Sequence, residues 1–175
     1  FISSAIVKGG KYRDMLIILN SGSKTFNLAG LIHSHVIIYD RKLMETYDAY
    51  IKSIGSPEVN LLGVTGMEAA FRNGEEWFEN VKSLICHNYN YMKLELAKEL
   101  PDVVVTPLEG TYLSWLDLRS YVPEKETASF IQNKCRLACD VGEWFSFTGH
   151  GFIRINLYCD KLFRNAEWTG RYICQ

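Results

Sequence analysis

A lysine set among small hydroxyl residues is the feature of this sequence best suited to covalent chemistry. Ser21-Gly22-Ser23-Lys24 directly follows the apolar run 14–20, which predicts a buried strand. Glycine lets the backbone approach an anion, and serine hydroxyls can donate to phosphate oxygens. We expect a lysine at the exit of such a strand to be partly desolvated, which favours its neutral, nucleophilic amine. This pattern suits a Schiff-base lysine beside a phosphate-bearing aldehyde, although an ordinary surface loop would contain the same residue types.

Other nucleotide and metal chemistries lack the residues they need. The upstream glycine of a phosphate-binding loop is missing before Lys24, and no Gly-x-Gly-x-x-Gly occurs to anchor a nicotinamide. Five irregularly spaced cysteines do not form a disulfide framework, so we expect free thiols. Cys135 and Cys139 are four residues apart on a predicted helix and could share a ligand, but no second pair has zinc spacing. We therefore expect no metal site.

Length and composition limit the classes of function further. The chain has 175 residues, a net charge of −1 and 47% hydrophobic residues, which is typical of a globular protein that can bury its own core. The near-zero charge gives no general attraction to nucleic acid or to an anionic membrane surface. No apolar run approaches the ~20 residues that span a bilayer.

Hydrophobic periodicity predicts the elements that must position these residues. Two continuous apolar runs, 14–20 and 34–39, are typical of strands buried on both faces in an α/β sheet. The run 152–158 alternates, with Arg154 on the face opposite three aliphatic side chains. The other predicted elements are helices at 40–54, 56–71, 75–100 and 124–139, strands at 103–106 and 111–117, and a terminal helix from about residue 161.

Four stretches resemble one known family in both order and spacing. Ser23-Lys24-Thr25-Phe26-Asn27-Leu28-Ala29-Gly30-Leu31 resembles the cofactor-lysine segment of fold-type I pyridoxal-phosphate enzymes in the class I/II aminotransferase family, most closely its cystathionine β-lyase, or C–S lyase, branch. Segments 74–77, 109–117 and 145–156 resemble that family's helix start, small-domain strand and substrate-carboxylate strand. The resemblance implies an α/β fold. Residues 1–80 would be the end of the large cofactor-binding domain, and residues 81–175 the connecting helix and small α+β domain.

The same resemblance implies roles for individual residues. Lys24 matches the lysine that forms the Schiff base with pyridoxal 5'-phosphate and later shuttles the substrate proton. Ser21 and Ser23 are the candidates on the phosphate side. Arg154 matches the arginine that grips the α-carboxylate of an amino-acid substrate. A planar guanidinium suits that task because it can donate two parallel hydrogen bonds, although from the sequence alone an ordinary exposed arginine would be expected at this position.

The sequence departs from the family in two respects. Ile32 stands where the aminotransferase branch has a phosphate-binding arginine, which favours the C–S lyase branch. The long amino-terminal part of the family, which supplies the phosphate loop and the groups around the pyridine ring, has no counterpart here. We therefore expect a carboxy-terminal fragment that binds the cofactor poorly by itself. Its apolar sheet surface around 15–20 and 36–39 should lie uncovered.

The resemblance implies an enzyme that acts on amino acids, most simply a C–S β-lyase that converts cystathionine or cysteine to pyruvate, ammonia and a thiol. A class I/II aminotransferase is an alternative, because the two reactions diverge only after the Cα proton has been removed. A non-catalytic fragment is a second alternative. A ligand sensor fused to a DNA-binding module is a third, but no basic patch supports it. The family also implies a cytoplasmic homodimer without nucleic-acid or membrane partners.

Overall fold

The computed structural model describes residues 2–55 and 59–158. The chain divides into two compact units, Phe1–Glu79 and Asn80–Gln175. The fold is mixed α/β, as predicted. Its strands are β1 (Ile17–Asn20), β2 (His35–Ile38), β3 (Val104–Val105), β4 (Leu113–Asp117), β5 (Asp140–Val141) and β6 (Phe152–Asn156). The three long helices of the described residues are α1 (Arg41–Ser53), α2 (Leu61–Asn73) and α3 (Glu75–Glu99).

In the first unit, two strands flank the segment that carries the candidate lysine. β1 and β2 pair antiparallel, with Ile17 opposite Ile38 and Asn20 opposite His35. The chain between them, 21–34, therefore leaves and re-enters the sheet at the same end. This topology places the lysine segment directly at the end of β1.

Helix caps define the predicted helices of the first unit. The Asp40 carboxylate accepts a hydrogen bond from the Leu43 N–H at 2.7 Å, so α1 begins where the sequence predicts. Asn60 caps α2 in the same way, and α2 therefore begins at Leu61 rather than at residue 56. Ser56 and Pro57, the predicted helix start, lie outside the described residues. α2 extends two residues beyond the predicted end at residue 71, to Asn73, and the predicted start of α3 at Glu75 is confirmed.

The prediction that both strands of the first unit are buried on both faces is wrong for this chain. Leu19 is 72% exposed and Ile17 is 45% exposed. Within the described residues the sheet has two strands of four residues each, which are too few to cover a continuous apolar run. The exposure instead confirms the expectation of uncovered apolar sheet surface, which is formed by Met15, Ile17, Leu19, Ile37 and Tyr39.

The second unit has a closed hydrophobic core. Its antiparallel sheet has the order β3-β4-β6-β5, and β4 pairs with β6 along five residues. The predicted apolar stripe of α3 and the aliphatic face of β6 both contribute to this core. Asn88 is buried on α3 and donates from Nδ2 to the Leu157 carbonyl at 2.9 Å, so its burial is compensated. The core residues are Met92, Val103, Leu116, Leu118, Ile131, Ile153 and Leu157.

The continuous helix predicted for 124–139 is wrong. The segment is a 3-10 turn at Glu124–Glu126, a short α turn at Thr127–Ser129 and a π turn at Phe130–Lys134. Arg136 then takes a positive φ of 53°, which ends the helical path and sends the chain into β5. Cys135 and Cys139 therefore do not share a helix. The terminal helix predicted from residue 161 lies outside the described residues.

No helix in 2–55 or 59–158 combines the length and the apolar character needed to cross a bilayer. α3 has 25 residues, but eight of them are Glu or Lys.

Candidate active site

Lys24 lies in a single helical turn immediately after β1. The Phe26 N–H donates to the Gly22 carbonyl at 2.9 Å, and the Leu28 N–H donates to the Ser23 carbonyl at 2.9 Å. Asn27 takes the left-handed conformation, with φ 54°, that closes such a turn. Asparagine tolerates this conformation better than most residues, so the local sequence itself fixes the turn that presents Lys24.

The turn is held against α2 by the absence of a side chain at Gly22. A Cβ built on Gly22 would lie 2.5 Å from Met67 Sδ and 3.0 Å from Phe26 Cδ2. Met67 is only 3% exposed, so it has little room to move aside. Glycine is therefore required here by close packing, and this packing fixes where the Lys24 turn leaves the sheet.

Phe26 anchors the other side of the turn in an aromatic cluster. Its ring packs edge-on against Phe71 at 5.3 Å between centroids and also contacts Trp77 and Phe78 at 6.2 and 6.1 Å. Phe71 in turn packs edge-on against His35 at the start of β2. Aromatic pairs of this geometry stabilise the turn beyond the area that they bury.

The two candidate phosphate residues are bonded to each other. Ser21 Oγ donates to the His33 carbonyl at 2.7 Å, which uses its single proton. The oxygen of Ser21 accepts from the Ser23 N–H at 3.0 Å and lies 2.6 Å from Ser23 Oγ. The Ser23 hydroxyl is therefore the one whose proton can turn from Ser21 toward a ligand. Ser21 instead links the turn to His33, which lies just before β2.

The Lys24 side chain is exposed. Its ammonium has no hydrogen-bond or ion-pair partner within the described ranges. The partial desolvation predicted at this position is therefore not observed, because the strand that precedes it is itself exposed. The Lys24 side chain is nevertheless sterically accessible to a ligand that approaches the turn from solvent.

Arg154 is paired, in contrast to Lys24. It lies on β6 directly opposite Asp140 of β5, and its Nε and Nη2 donate to Asp140 Oδ2 at 2.8 and 2.6 Å. The two side chains are 30% and 36% exposed. The guanidinium carbon also lies 4.3 Å from the centroid of the Phe145 ring. One edge and one face of the guanidinium are thus held by the protein.

Aromatic residues support the ring that underlies Arg154. Trp115 lies on β4, opposite Arg154. Its ring packs edge-on against Phe145, with 5.6 Å between ring centroids, and stacks on Phe152, with 5.8 Å between centroids. Gly142 and Gly149 pack backbone to backbone, and a Cβ on either glycine would collide with the other. This close contact determines the position of Phe145. The loop 142–151 can therefore fold back closely and bring Phe145 over the strand.

The predicted site residues fall into two groups. Ser21, Ser23 and Lys24 share one turn of the first unit, whereas Arg154 lies in the second unit. The sequence analysis missed Asp140 as the partner of Arg154, because it extended a helix to residue 139. The alternation of apolar Cys139 and Val141 around Asp140 was the available signal for a short strand. In the described part of the chain, no three His, Cys, Asp or Glu side chains cluster to hold a metal.

Comparison with known proteins shows which family this chain belongs to. The family model for aminotransferase class I and II matches residues 2–162. The chain belongs to this family. Cystathionine beta-lyase PatB of Bacillus subtilis is 32% identical over 149 residues, which are 85% of this chain and 38% of the relative. The family resemblance inferred from the four sequence stretches is thereby confirmed.

Two solved structures are similar in both sequence and fold. Cystalysin of Treponema denticola, which contains a pyridoxal 5'-phosphate cofactor, has a TM-score of 0.79 at 27% identity, over 88% of this chain and 39% of cystalysin. The PLP-bound C-S lyase of Staphylococcus hominis has a TM-score of 0.71 at 34% identity, over 82% of this chain and 37% of the lyase. The chain thus spans less than two-fifths of the length of these relatives.

Proposed function

We propose that the complete gene product is a pyridoxal-phosphate-dependent enzyme that acts on amino acids, and that its reaction is a C–S β-lyase reaction. The observation that carries the proposal is the unpaired Lys24 amine on a fixed turn after β1, in a chain of this family. Similarity to a cystathionine beta-lyase and to a C-S lyase supports the choice of reaction. Cystathionine and cysteine are the proposed substrates, and pyruvate, ammonia and a thiol the products.

The residues of the Lys24 turn fit an aldehyde that carries a phosphate. The Lys24 amine has no competing partner among the described residues, and the missing side chain at Gly22 lets Met67 and Phe26 pack closely against the turn. Ser23 offers a hydroxyl proton that can turn to a phosphate oxygen, and Ser21 holds Ser23 in place. Lys24, Ser23 and Ser21 are therefore the residues of this chain that we propose to hold the cofactor.

The proposed chemistry divides between these residues and Arg154. When bound, pyridoxal phosphate supplies an electron sink for negative charge at the substrate Cα. Lys24 Nζ would hold the cofactor at its aldehyde carbon, and as a free amine it would take the Cα proton of the amino acid. Arg154 would donate to the α-carboxylate and so orient the amino acid. The C–S bond would break with its electron pair on sulfur, the leaving sulfur would take up a proton, and one water would complete the release of pyruvate and ammonia.

An aminotransferase reaction is the second candidate, because the family model that matches the chain is named for it. The same proton removal by Lys24 would serve both reactions, which then differ in where that proton returns. A non-catalytic role for this chain taken alone is the third candidate.

The described cysteines Cys86, Cys135 and Cys139 are free thiols, which supports a cytoplasmic location. A homodimer without nucleic-acid or membrane partners is proposed from the family.

The test is product analysis with the complete gene product and pyridoxal phosphate. We expect L-cystathionine to yield pyruvate and ammonia without an added oxo acid, and the Lys24→Ala variant to yield neither. Lys42→Ala removes an equally exposed lysine on α1 and should retain activity. Turnover that requires an added oxo acid would assign the transferase reaction instead. Full activity in Lys24→Ala would overturn the proposal.

A further inference from the structure

The guanidinium of Arg154 has two edges that can each bind a carboxylate. Nε and Nη2 form one edge, and both donate to the same oxygen of Asp140. Nη1 and the second proton of Nη2 form the other edge, which has no partner within the described residues. Phe145 covers one face of the group at 4.3 Å. Asp140 and Phe145 together therefore fix the direction in which the open edge points.

We propose that Asp140 is a positioning residue that holds the open edge of Arg154 toward the α-carboxylate of the substrate. The inference rests on the proposed function, since it takes Arg154 as the residue that binds this carboxylate. Asp140 does not touch the substrate. It acts through Arg154 by removing the rotations that a long side chain would otherwise sample, so that fewer have to be frozen when the amino acid binds.

The geometry of this pair differs from that of the exposed ion pair on α1. Asp140 and Arg154 are cross-strand neighbours on paired strands, and both side chains are about two-thirds buried. The Arg41–Glu45 pair of α1 joins side chains that are 88% and 62% exposed, and its two residues are one helical turn apart. Exposed pairs of that kind contribute little to stability or order. The Asp140–Arg154 pair is held by the sheet, by two short bonds and by an aromatic ring.

Charge and orientation predict opposite effects of losing Asp140. The negative charge of Asp140 lies beside the proposed carboxylate site, so its removal alone would strengthen binding of an anionic substrate. Loss of the hydrogen bonds would instead let Arg154 rotate and weaken binding. A rise in KM on removal of Asp140 can therefore come only from lost orientation. The Asp140→Asn variant keeps an oxygen that can accept the hydrogen bonds and lacks the charge.

The test compares variants of the complete gene product with L-cystathionine as substrate. We expect Asp140→Ala to raise KM about 10-fold, with kcat within about twofold of the parent, because misplacement of a binding group costs roughly this much. Asp140→Asn should restore KM to within about twofold of the parent. Asp117→Ala is the control, because Asp117 of β4 forms another two-bond carboxylate–guanidinium pair, with Arg119 at 2.9 and 2.7 Å, that has no proposed role in the reaction.

The possible outcomes separate this inference from the proposed function. An Asp140→Ala variant with the parent's KM, or an Asp117→Ala variant with an equal rise, would overturn the positioning role while leaving the enzyme active. A second readout is calorimetric titration with L-alanine, in which Asp140→Ala should weaken binding by a similar factor. A parent protein that neither turns over L-cystathionine nor binds L-alanine would overturn both proposals.

Discussion

The two units of this chain hold the two cationic side chains with proposed roles, Lys24 and Arg154, in opposite ways. Lys24 of the first unit is exposed and has no partner among the described residues, whereas Arg154 of the second unit is paired with Asp140 and stacked on Phe145. The contrast follows the chemistry proposed for each. A lysine that attacks an aldehyde and moves a proton must have a free amine, while an arginine that recognises a carboxylate gains from a fixed orientation.

The packing around the two side chains also differs: the second unit has a closed core, and the first does not. In the second unit, seven buried hydrophobic residues form a core on one face of the sheet. Arg154 lies on the opposite face. The first unit fixes its turn through one glycine contact and one aromatic cluster, and neither of its two strands is buried. Local contacts are therefore enough to shape the Lys24 turn, but they do not give the sheet beneath it a closed core.

The largest expected effect tests this difference in packing. In the 175-residue chain, Leu116→Ala should lower the free energy of unfolding by about 2–5 kcal/mol, because Leu116 is 1% exposed and its loss leaves a cavity. Leu19→Ala removes the same atoms from a side chain that is 72% exposed, and should change stability by less than about 0.5 kcal/mol. Urea denaturation followed by tryptophan fluorescence measures both.

An equal loss of stability in the two variants would contradict the comparison, since it would mean that the face around Leu19 is covered. Sizing chromatography in parallel would then show whether a second copy of the chain covers it.

The next effect concerns Arg154 itself in the complete gene product. Arg154→Lys keeps the charge but loses the planar, two-bond geometry, so KM for L-cystathionine should rise about 10- to 100-fold while kcat changes less. Arg119→Lys is the matched control, because Arg119 makes an equivalent two-bond pair with Asp117 and has no proposed role in the reaction. Unchanged kinetics in Arg154→Lys would remove the recognition role from this unit.

The smallest effect concerns a thiol of the second unit. Burial raises the pKa of Cys139 from 9.0 to about 11, which leaves about 100-fold less thiolate at pH 8. The higher intrinsic nucleophilicity of a more basic thiolate offsets part of this, so alkylation should be about tenfold slower than for an ordinary thiol. Mass spectrometry after iodoacetamide treatment should show Cys86 and Cys135, both exposed, modified before Cys139. The alkylation rate of Cys139 should keep rising with pH up to about 11. Equal rates for all three cysteines would show that Cys139 is not protected by the packing around β5.

Contiguous signals made the Lys24 turn predictable from the sequence. A strand, a glycine between two serines and a lysine are neighbours in the chain, and their structure depends on local geometry. The family resemblance, the bounds of α1 and α3 and the alternation along β6 were predictable for the same reason. The burial of β1 was not, because an apolar run shows that a strand can be covered but not whether neighbours are present to cover it.

The partner of Arg154 was beyond the reach of local pattern for a different reason. Asp140 precedes Arg154 by 14 residues, and the two meet only through the register of β5 with β6. That register depends on a π turn at Phe130–Lys134 and on the left-handed Arg136, which end the helical segment before β5. Neither feature has a periodic signature, so the helix was predicted to continue to residue 139, although the helical segment ends at Lys134. The predicted cofactor contacts of Ser21 and Ser23 stay predictions.

The division of labour between a free lysine and a fixed arginine is tested most directly at Lys24. The complete gene product, loaded with pyridoxal phosphate, is reduced with borohydride, digested and mapped by mass spectrometry. We expect the reduced cofactor on the peptide that contains Lys24, and loss of that adduct in Lys24→Ala but not in Lys42→Ala. An adduct on any other lysine, with Lys24 unmodified, would contradict the account.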